Sequence, residues 1–191
     1  YNSPQWLGRC PNCQSWNSLV ETIVEVKRNN PTSSGSAGLR GTSKPQRLSD
    51  VSLKETKRIN SGIEELDRVL GGGIVPGSVI LLAGDPGIGK STLLLQVCAK
   101  LSGLYISGEE SVHQIKIRAD RLGLGSSKMQ LMAENDTDNI CIQIEKESPP
   151  IAVIDSIQTL ETEDLSGMAG AVGQVRESAS RIIRIAKEND F

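Results

Sequence analysis

The sequence predicts an α/β protein whose main domain contains a mainly parallel sheet. Two observations support this class. Strand-length apolar runs alternate with amphipathic helical patterns through residues 48–191, and this order is typical of parallel strands joined by helices. A glycine-rich turn that matches a phosphate-binding pattern also stands between one apolar run and a leucine-rich helix. Together they predict a phosphate-binding α/β domain.

Composition changes along the chain divide it into three predicted segments. Residues 1–26 form a small module with two cysteines and two tryptophans, ending in a strand-like alternation over 19–26. Residues 27–47 are expected to be a flexible basic linker. Ser, Gly, Pro and Asn dominate 29–44 and leave too little apolar surface to offset the entropy of ordering. Residues 48–191 form the main domain.

The chain is expected to be a cytoplasmic fragment of a longer protein. Its longest apolar runs, such as 79–83 and 151–154, are far shorter than the about 20 residues that a membrane span needs. No signal peptide is predicted, and four cysteines without secretory features favour a reducing compartment. The chain begins at Tyr1 rather than Met and stops at Phe191 inside a helical pattern.

The main domain begins with a helix and an apolar strand. Ser61 and Glu64 have the Ser-x-x-Glu spacing of a capping box, in which a hydroxyl and a carboxylate satisfy the first free amides of a helix. The helix is expected to reach Leu70 and to end at the glycines 71–73. The continuous apolar run 79–83 then predicts a strand that is covered on both faces.

The later elements alternate between strand and helix periods. A leucine-rich helix over 91–100 follows the glycine-rich turn. A final helix is predicted from apolar residues at offsets of 3, 7, 10, 11 and 14 from Val172, because these offsets lie on one helix face. Between these two helices the predicted elements are strand 104–107, helix 111–122, strand 129–132, helix 137–147 and strand 151–155.

The segment GDPGIGKS matches the phosphate-loop pattern G-x-x-x-x-G-K-[ST] between a predicted strand and a predicted helix. Its glycines let the backbone amides point at phosphate oxygens beside a helix N-terminus. Lys90 is expected to reach the β- and γ-phosphates, and Ser91 to offer a hydroxyl to Mg²⁺. The residues predicted to contact the nucleotide are Gly84, Asp85, Pro86, Gly87, Ile88, Gly89, Lys90, Ser91 and Thr92.

Asp155 is the candidate magnesium ligand. It ends the apolar strand 151–155, so it is expected at the carboxyl end of a buried strand beside the phosphate loop, where a carboxylate holds Mg²⁺. The alternative is an ordinary capping or turn aspartate. The phosphate loop earlier in the chain favours the magnesium role.

Glu109 and Glu110 are the candidates for orienting the attacking water. They follow strand 104–107, so they are expected at the same carboxyl edge of the sheet as Lys90 and Asp155. The alternative is that both only begin the next helix, where acidic residues suit the helix dipole. The sequence favours catalysis for Glu109 and leaves both roles open for Glu110.

Cys10 and Cys13 present two thiolates on one tight turn, a common half of a tetrahedral zinc site. Cys98, Cys141 and His113 lie in predicted helices of the main domain and are expected to be core or surface residues rather than ligands. The residues therefore predict half of a zinc site and do not complete it.

Six motifs carry a family resemblance. In chain order they are SPQWLGRCPNCQSWNSLVE, INSGIEELDRVLGGGIVPGS, GDPGIGKSTLLLQ, YISGEES, IRADRLGL and IAVIDSIQT. Together they resemble the RadA (Sms) family of bacterial DNA repair proteins, which are RecA-related ATPases. The resemblance covers essentially the whole chain, and it implies a RecA-like P-loop NTPase core that uses ATP and Mg²⁺.

The resemblance also implies partners and missing parts. Cys10 and Cys13 become the second half of a four-cysteine zinc finger whose first pair precedes Tyr1, and the family continues beyond Phe191. The implied activity is a DNA-dependent ATPase in recombinational repair, which processes branched intermediates by branch migration on single-stranded DNA. The implied partners are single-stranded and branched DNA and a recombinase of the RecA type, and the implied assembly is a homo-hexamer.

Candidate DNA contacts come from the resemblance and from charge. By resemblance, residues 161–173 occupy the place of the first mobile DNA-binding loop, and three glycines suit that role. Their acidic start suits a polyanion poorly, which leaves an ordinary surface loop open. Arg176 follows the loop as a candidate cation. Residues 1–60 carry nine Lys or Arg against four Asp or Glu, and the alternative phosphate contacts there are Arg40, Lys44 and Arg47.

Two other function classes are compatible with a phosphate loop. A nucleotide-switched signalling ATPase of the clock type would bind partners according to ATP occupancy and ignore DNA, but the Cys-x-x-Cys module favours nucleic acid. A small-molecule kinase needs an arginine-rich lid over the acceptor. The only arginines between Lys90 and Asp155 are Arg118 and Arg121, which have helical spacing, so no lid is predicted.

Overall fold

The fold is described from a computed structural model that covers residues 14–15, 45, 47–50 and 57–189. The chain separates into two units, and the second unit, Ser52–Phe191, contains the sheet. The strand predicted before the linker lies outside the described residues. Within the described part, no helix is long and apolar enough to cross a membrane.

Five α-helices and three strands make up the described part of the second unit. All the elements predicted between residues 91 and 155 are confirmed, each bound within one residue, and the final helix is confirmed as well. Short 3-10 helices cover Leu48–Asp50 and Ile157–Thr159. The main elements are α1 (Glu64–Val69), α2 (Lys90–Leu101), β1 (Leu104–Ser107), α3 (Val112–Arg121), β2 (Gln130–Ala133), α4 (Thr137–Glu147), β3 (Ala152–Asp155) and α5 (Val172–Asn189).

The three strands form a parallel sheet in the order β2-β1-β3. In this register Ser107 at the end of β1 lies between Ala133 of β2 and Asp155 of β3. The carboxyl ends of all three strands therefore meet at one edge, where the loops that follow them converge. The predicted α/β class with a mainly parallel sheet is confirmed.

Helices cover both faces of the central strand β1, all four residues of which are buried. Alternate side chains of a strand point to opposite faces. Leu104 and Ile106 pack with residues of α4 and α5 on one face, and Tyr105 packs with α2 and α3 on the other. This explains why β1 has a continuous apolar run rather than an alternating one.

The predicted strand over residues 79–83 is wrong in this structure. The segment pairs with none of the three strands, and Leu81 is 81% exposed. An apolar run becomes a strand only where a neighbouring strand accepts and donates its backbone hydrogen bonds. Among the described residues β3 pairs only with β1, so no strand lies against 79–83.

The predicted capping box at Ser61 and Glu64 is also wrong. α1 begins at Glu64 after Ile63, and its N-terminus has no side-chain cap. Gly62 has a φ of 81°, which turns the chain so that the buried Ser61 hydroxyl bonds with the backbone of Ile63 instead of reaching the helix. A complete capping box does form one element later, between Ser111 and Gln114 at the start of α3.

The buried face of α5 differs in part from the predicted one. Val172 is 84% exposed, while Gln174 and Ser178 are buried ahead of Ile185 and Ala186. The first turns of the helix face polar groups: the Ser178 hydroxyl accepts a hydrogen bond of 2.8 Å from the buried Thr137 hydroxyl. The apolar periodicity located the helix correctly, but it missed the polar part of its buried face.

Candidate nucleotide-binding site

The phosphate-loop segment forms an open turn in front of α2. Gly87 and Gly89 have φ values of 81° and 96°, which only glycine adopts without strain, and Gly89 is the residue that precedes the helix. Apart from the adjacent residues in the chain, no described residue comes within 4 Å of the position that a β-carbon would take at either glycine. The backbone amides of Gly87 and Gly89 donate no hydrogen bond to the described part of the chain. Free amides at a helix N-terminus suit an anion.

Lys90 bends back over this turn. Its Nζ donates hydrogen bonds of 2.8 Å to the carbonyl oxygen of Gly84 and 2.7 Å to that of Asp85. The ammonium group thus spans the loop and donates to two backbone carbonyl oxygens. Phosphate oxygens could replace these carbonyl oxygens as its acceptors. Ser91 and Thr92 follow in the first turn of α2 and are half-buried.

Asp155 occupies the carboxyl end of β3, as its place in the sequence predicts. The parallel register puts it beside Ser107, and α2 packs against β3 and β1. Its side chain is 20% exposed, and its Oδ2 accepts a hydrogen bond of 2.5 Å from the Tyr105 hydroxyl. Oδ1 has no hydrogen-bond partner among the described residues, so one oxygen of the carboxylate is available for another ligand.

Glu109 and Glu110 reach the same edge from the turn after β1. The Ser107 hydroxyl oxygen accepts from the amides of both, at 3.3 and 3.0 Å, and so fixes the turn. Glu109 accepts a hydrogen bond of 3.2 Å from the hydroxyl of Ser156, the residue after Asp155. Glu110 forms an ion pair of 2.8 Å with Arg118 on α3. The two glutamates therefore have different environments.

Sequence reasoning missed two residues of this edge, Tyr105 and Arg118. Tyr105 is fully buried and connects the Arg118 guanidinium to Asp155. Burial, and then the hydrogen bond to Asp155, raise the pKa of Tyr105 far above its usual value, so the phenol keeps its proton and stays a donor. The signal that could have revealed it is a tyrosine in an otherwise apolar strand, since a buried hydroxyl needs a partner.

The donor atoms fit a magnesium ion better than a soft metal. Asp155 and Ser91 supply oxygen atoms, which Mg²⁺ prefers. Within the described residues there is no group of three or more His, Cys, Asp or Glu that could hold a metal. Mg²⁺ usually keeps one or two protein ligands and completes its shell with phosphate oxygens and water, so the small donor set is consistent with it.

The loop over residues 161–173 is anchored at its base by Gln174, which is 2% exposed. The Gln174 amide nitrogen donates to the carbonyl oxygens of Thr162, Leu165 and Gly167 at 3.0 to 3.2 Å, and its amide oxygen accepts from the Thr162 amide at 2.9 Å. One buried side chain therefore holds one end of the loop against α5.

Arg181 of α5 forms a second anchor of the same loop. Its guanidinium pairs with Asp164 of the loop at 2.6 Å, with Glu177 at 3.0 Å and with Asp138 of α4. The hydrogen bond to Asp164, followed by that to Glu177, raises the pKa of Arg181. The loop tip remains outside these contacts, and Met168 on it is 85% exposed.

Replacing Gln174 with leucine is expected to destabilise the unit by about 1–3 kcal/mol, because three carbonyl groups lose their buried donor. Urea unfolding measures the change, and limited proteolysis should show faster cleavage within residues 162–167. The matched control is Gln96→Leu, which changes an exposed glutamine of α2. Equal stability of the two variants would contradict the anchoring role.

The remaining predicted candidates are either exposed, buried in the core or outside the described part. Arg176 is exposed on α5 and pairs with no described acidic residue, and Arg47 is also exposed. Cys98 and Cys141 are buried in the core, where burial raises their pKa values to about 12 and about 11, so they are poor metal ligands. Outside the described residues lie Arg40, Lys44, Cys10 and Cys13.

Comparison with known proteins gives two matching family models. A model described as KaiC ATPase matches residues 59–134, a stretch that includes the phosphate loop and both candidate glutamates. A model described as a rubredoxin metal binding domain, of the LapB zinc-ribbon type, matches residues 1–21, which include Cys10 and Cys13.

Curated RadA DNA repair proteins resemble nearly the whole chain. The protein of Halalkalibacterium halodurans is 50% identical over 98% of this chain, that of Bacillus subtilis 44% over 98%, and that of Escherichia coli 46% over 96%. The chain is similar to these RadA proteins over nearly its whole length. Each alignment covers 42% of the relative, so the chain spans about two fifths of the length of these RadA proteins.

These matches confirm the predicted resemblance and the fold class, a RecA-like P-loop ATPase core preceded by a small module that matches a zinc-ribbon model. A solved structure titled as the RadB recombinase has a TM-score of 0.49 with 21% identity, covering 69% of this chain and 66% of that chain. A likeness this weak supports no inference about function.

Proposed function

We propose that this chain is the nucleotide-binding part of an ATP-hydrolysing enzyme of recombinational DNA repair. The observation that carries the proposal is the convergence of Glu109, Glu110 and Asp155 at the carboxyl edge of a parallel sheet, in a chain whose phosphate loop opens α2. The similarity to RadA proteins supports the DNA-repair setting. A cytoplasmic location belongs to the same proposal.

In the proposed reaction each residue has one task. The amides of residues 87–89 and Lys90 bind the β- and γ-phosphates, and Lys90 exchanges its two carbonyl partners for phosphate oxygens. Ser91 and Asp155 would hold Mg²⁺, which supplies neutralising charge to those phosphates when it is bound. Glu109 takes a proton from water while the water oxygen bonds to the γ-phosphorus, and the bond to ADP breaks with its electron pair leaving on ADP.

DNA-dependent hydrolysis is the test of this function. In the full-length protein at low salt, single-stranded DNA is expected to raise the rate of ATP hydrolysis several-fold, and added salt should remove the increase because phosphate contacts release counterions. Lys90→Ala serves as the inactive control. Equal rates with and without DNA would favour a nucleotide-switched signalling ATPase, and the absence of hydrolysis would reject both.

We also propose that Cys10 and Cys13 bind zinc as half of a four-thiolate site. The support is the match of residues 1–21 to a metal-binding zinc-ribbon model. Replacing both cysteines with serine is expected to remove about one zinc ion per chain from the full-length protein, as measured by elemental analysis. The variant should keep its affinity for nucleotide, and unchanged zinc content would refute the assignment.

The proposal extends to action on branched DNA by branch migration, to a recombinase of the RecA type as partner and to a homo-hexamer. The resemblance to RadA proteins supports all three. Light scattering of the full-length protein with ATP tests the assembly, and a mass other than that of six chains would contradict it. Strand-exchange assays with branched substrates test the reaction.

A further inference from the structure

One nitrogen of Arg118 lies where three oxygen atoms of the candidate site meet. Its NH2 group is 2.8 Å from Glu110 Oε2, 3.0 Å from the Tyr105 hydroxyl and 3.9 Å from Asp155 Oδ2. Tyr105 belongs to β1, Glu110 follows β1, and Asp155 ends β3. Arg118, on α3, therefore connects the end of β1 to the end of β3 across the edge where the nucleotide is proposed to bind.

Tyr105 fixes the position of this guanidinium through its hydroxyl and its ring. Its ring is fully buried among Leu95, Ile115 and Val153, so it cannot move without disturbing the core. Its hydroxyl donates to Asp155 and accepts from Arg118, and the Arg118 guanidinium carbon lies 5.9 Å from the ring centroid. The aromatic ring thus supports the arginine by two separate contacts.

Burying the Arg118 guanidinium carries a free-energy cost. Arg118 is only 24% exposed, and its Nε is buried with no hydrogen-bond partner among the described residues. A buried unpaired donor is unfavourable. Two carboxylates at one sheet edge also repel each other, and a cation placed between them offsets that repulsion. The position of Arg118 is therefore explained by what it does to Glu110 and Asp155.

We propose that Arg118 and Tyr105 are positioning residues for ATP hydrolysis: they hold Asp155 through Oδ2 and leave Oδ1 free for Mg²⁺, and they keep Glu110 occupied so that Glu109 acts as the base. The inference rests on the proposed ATPase function. It differs from that function in naming two residues whose proposed role is to position the carboxylates.

Three variants of the full-length protein test the pair. Tyr105→Phe removes one hydroxyl and keeps the ring, Arg118→Gln removes the charge, and Arg118→Lys keeps the charge without the planar fork. The matched control is Arg121→Gln, which removes the same charge from an exposed position on α3. Partners that orient a metal ligand contribute about 10- to 100-fold to metal affinity or activity, so losses of that size in kcat are expected for Tyr105→Phe and Arg118→Gln.

Two further readouts separate positioning from stability. The KM for ATP should stay within about 2-fold while kcat falls, because the phosphate loop is untouched. In a binding assay that needs no turnover, the Mg²⁺ concentration that half-maximally stabilises the ATP-analogue complex against thermal unfolding should rise about 10-fold. Arg118→Lys should recover part of both losses, and Arg121→Gln should match the parent.

Wild-type kcat and wild-type Mg²⁺ dependence in Tyr105→Phe would overturn the inference, even if Arg118→Gln failed to fold. A loss in kcat that is matched by an equal change in KM would also overturn it. Failure of the proposed function looks different, since the parent protein would then hydrolyse no ATP or Lys90→Ala would hydrolyse it normally.

Discussion

Replacing Lys90 with alanine is expected to lower ATP hydrolysis by about 100-fold or more, because the phosphates lose the positive charge nearest to the bond that breaks. In the structure the Lys90 ammonium already spans the loop and holds the carbonyl oxygens of Gly84 and Asp85. A steady-state hydrolysis assay measures the loss, and binding of a fluorescent ATP analogue should weaken with it.

The control for this variant is Lys100→Ala. Lys100 lies in the last turn of the same helix α2 and is exposed, so its replacement removes an equal charge far from the loop. It should hydrolyse ATP at the parent rate. If Lys90→Ala kept full activity, the assignment of the phosphate loop would be rejected, whatever the behaviour of Lys100→Ala.

Glu109→Gln is expected to lower kcat by about 100- to 10,000-fold while nucleotide binding is retained, since a glutamine keeps the shape but cannot accept the proton of water. The structural reason for choosing Glu109 is its freedom: within the part of the chain that the structure describes, its side chain accepts a single hydrogen bond, from the Ser156 hydroxyl, whereas Glu110 is paired with Arg118. Single-turnover hydrolysis measures the chemical step apart from product release.

Glu110→Gln is the matched comparison, because it removes the same charge one residue away. Its amide oxygen can still accept from Arg118, so a loss below about 10-fold is expected. A larger loss in Glu110→Gln than in Glu109→Gln would exchange the two roles. Similar large losses in both would mean that the carboxylates act together.

Local sequence determined the elements between residues 90 and 155. Ser111 and Gln114, three residues apart, cap α3 through each other's amides, and the alternation of short apolar runs with amphipathic segments set every strand and helix there. The same signals placed Asp155 and Glu109 at one sheet edge. A parallel sheet brings the ends of its strands together whatever the loops contain, so this part of the site could be predicted.

Tertiary structure decided which apolar run becomes a strand and which polar side chain is buried, because the residues that they contact are distant in the chain. The run 79–83 is more apolar than β1, yet among the described residues only β1 has strands on both sides. In the sequence Gln174 has the pattern of a surface residue of an amphipathic helix, but in the structure it is buried and donates to three carbonyl oxygens of the loop.

The clearest contrast lies within the candidate site itself. The sequence alone predicted which residues could bind phosphate and magnesium, because the residues of GDPGIGKS are consecutive and Asp155 directly ends an apolar run. Only the tertiary structure decided which glutamate is free. That choice depends on Arg118, on the next helix, and on Tyr105, which is 50 residues from the aspartate that it holds. Hydrogen bonds and ion pairs between distant residues leave no periodic signal in a sequence, because they depend on where the packed helices place each side chain.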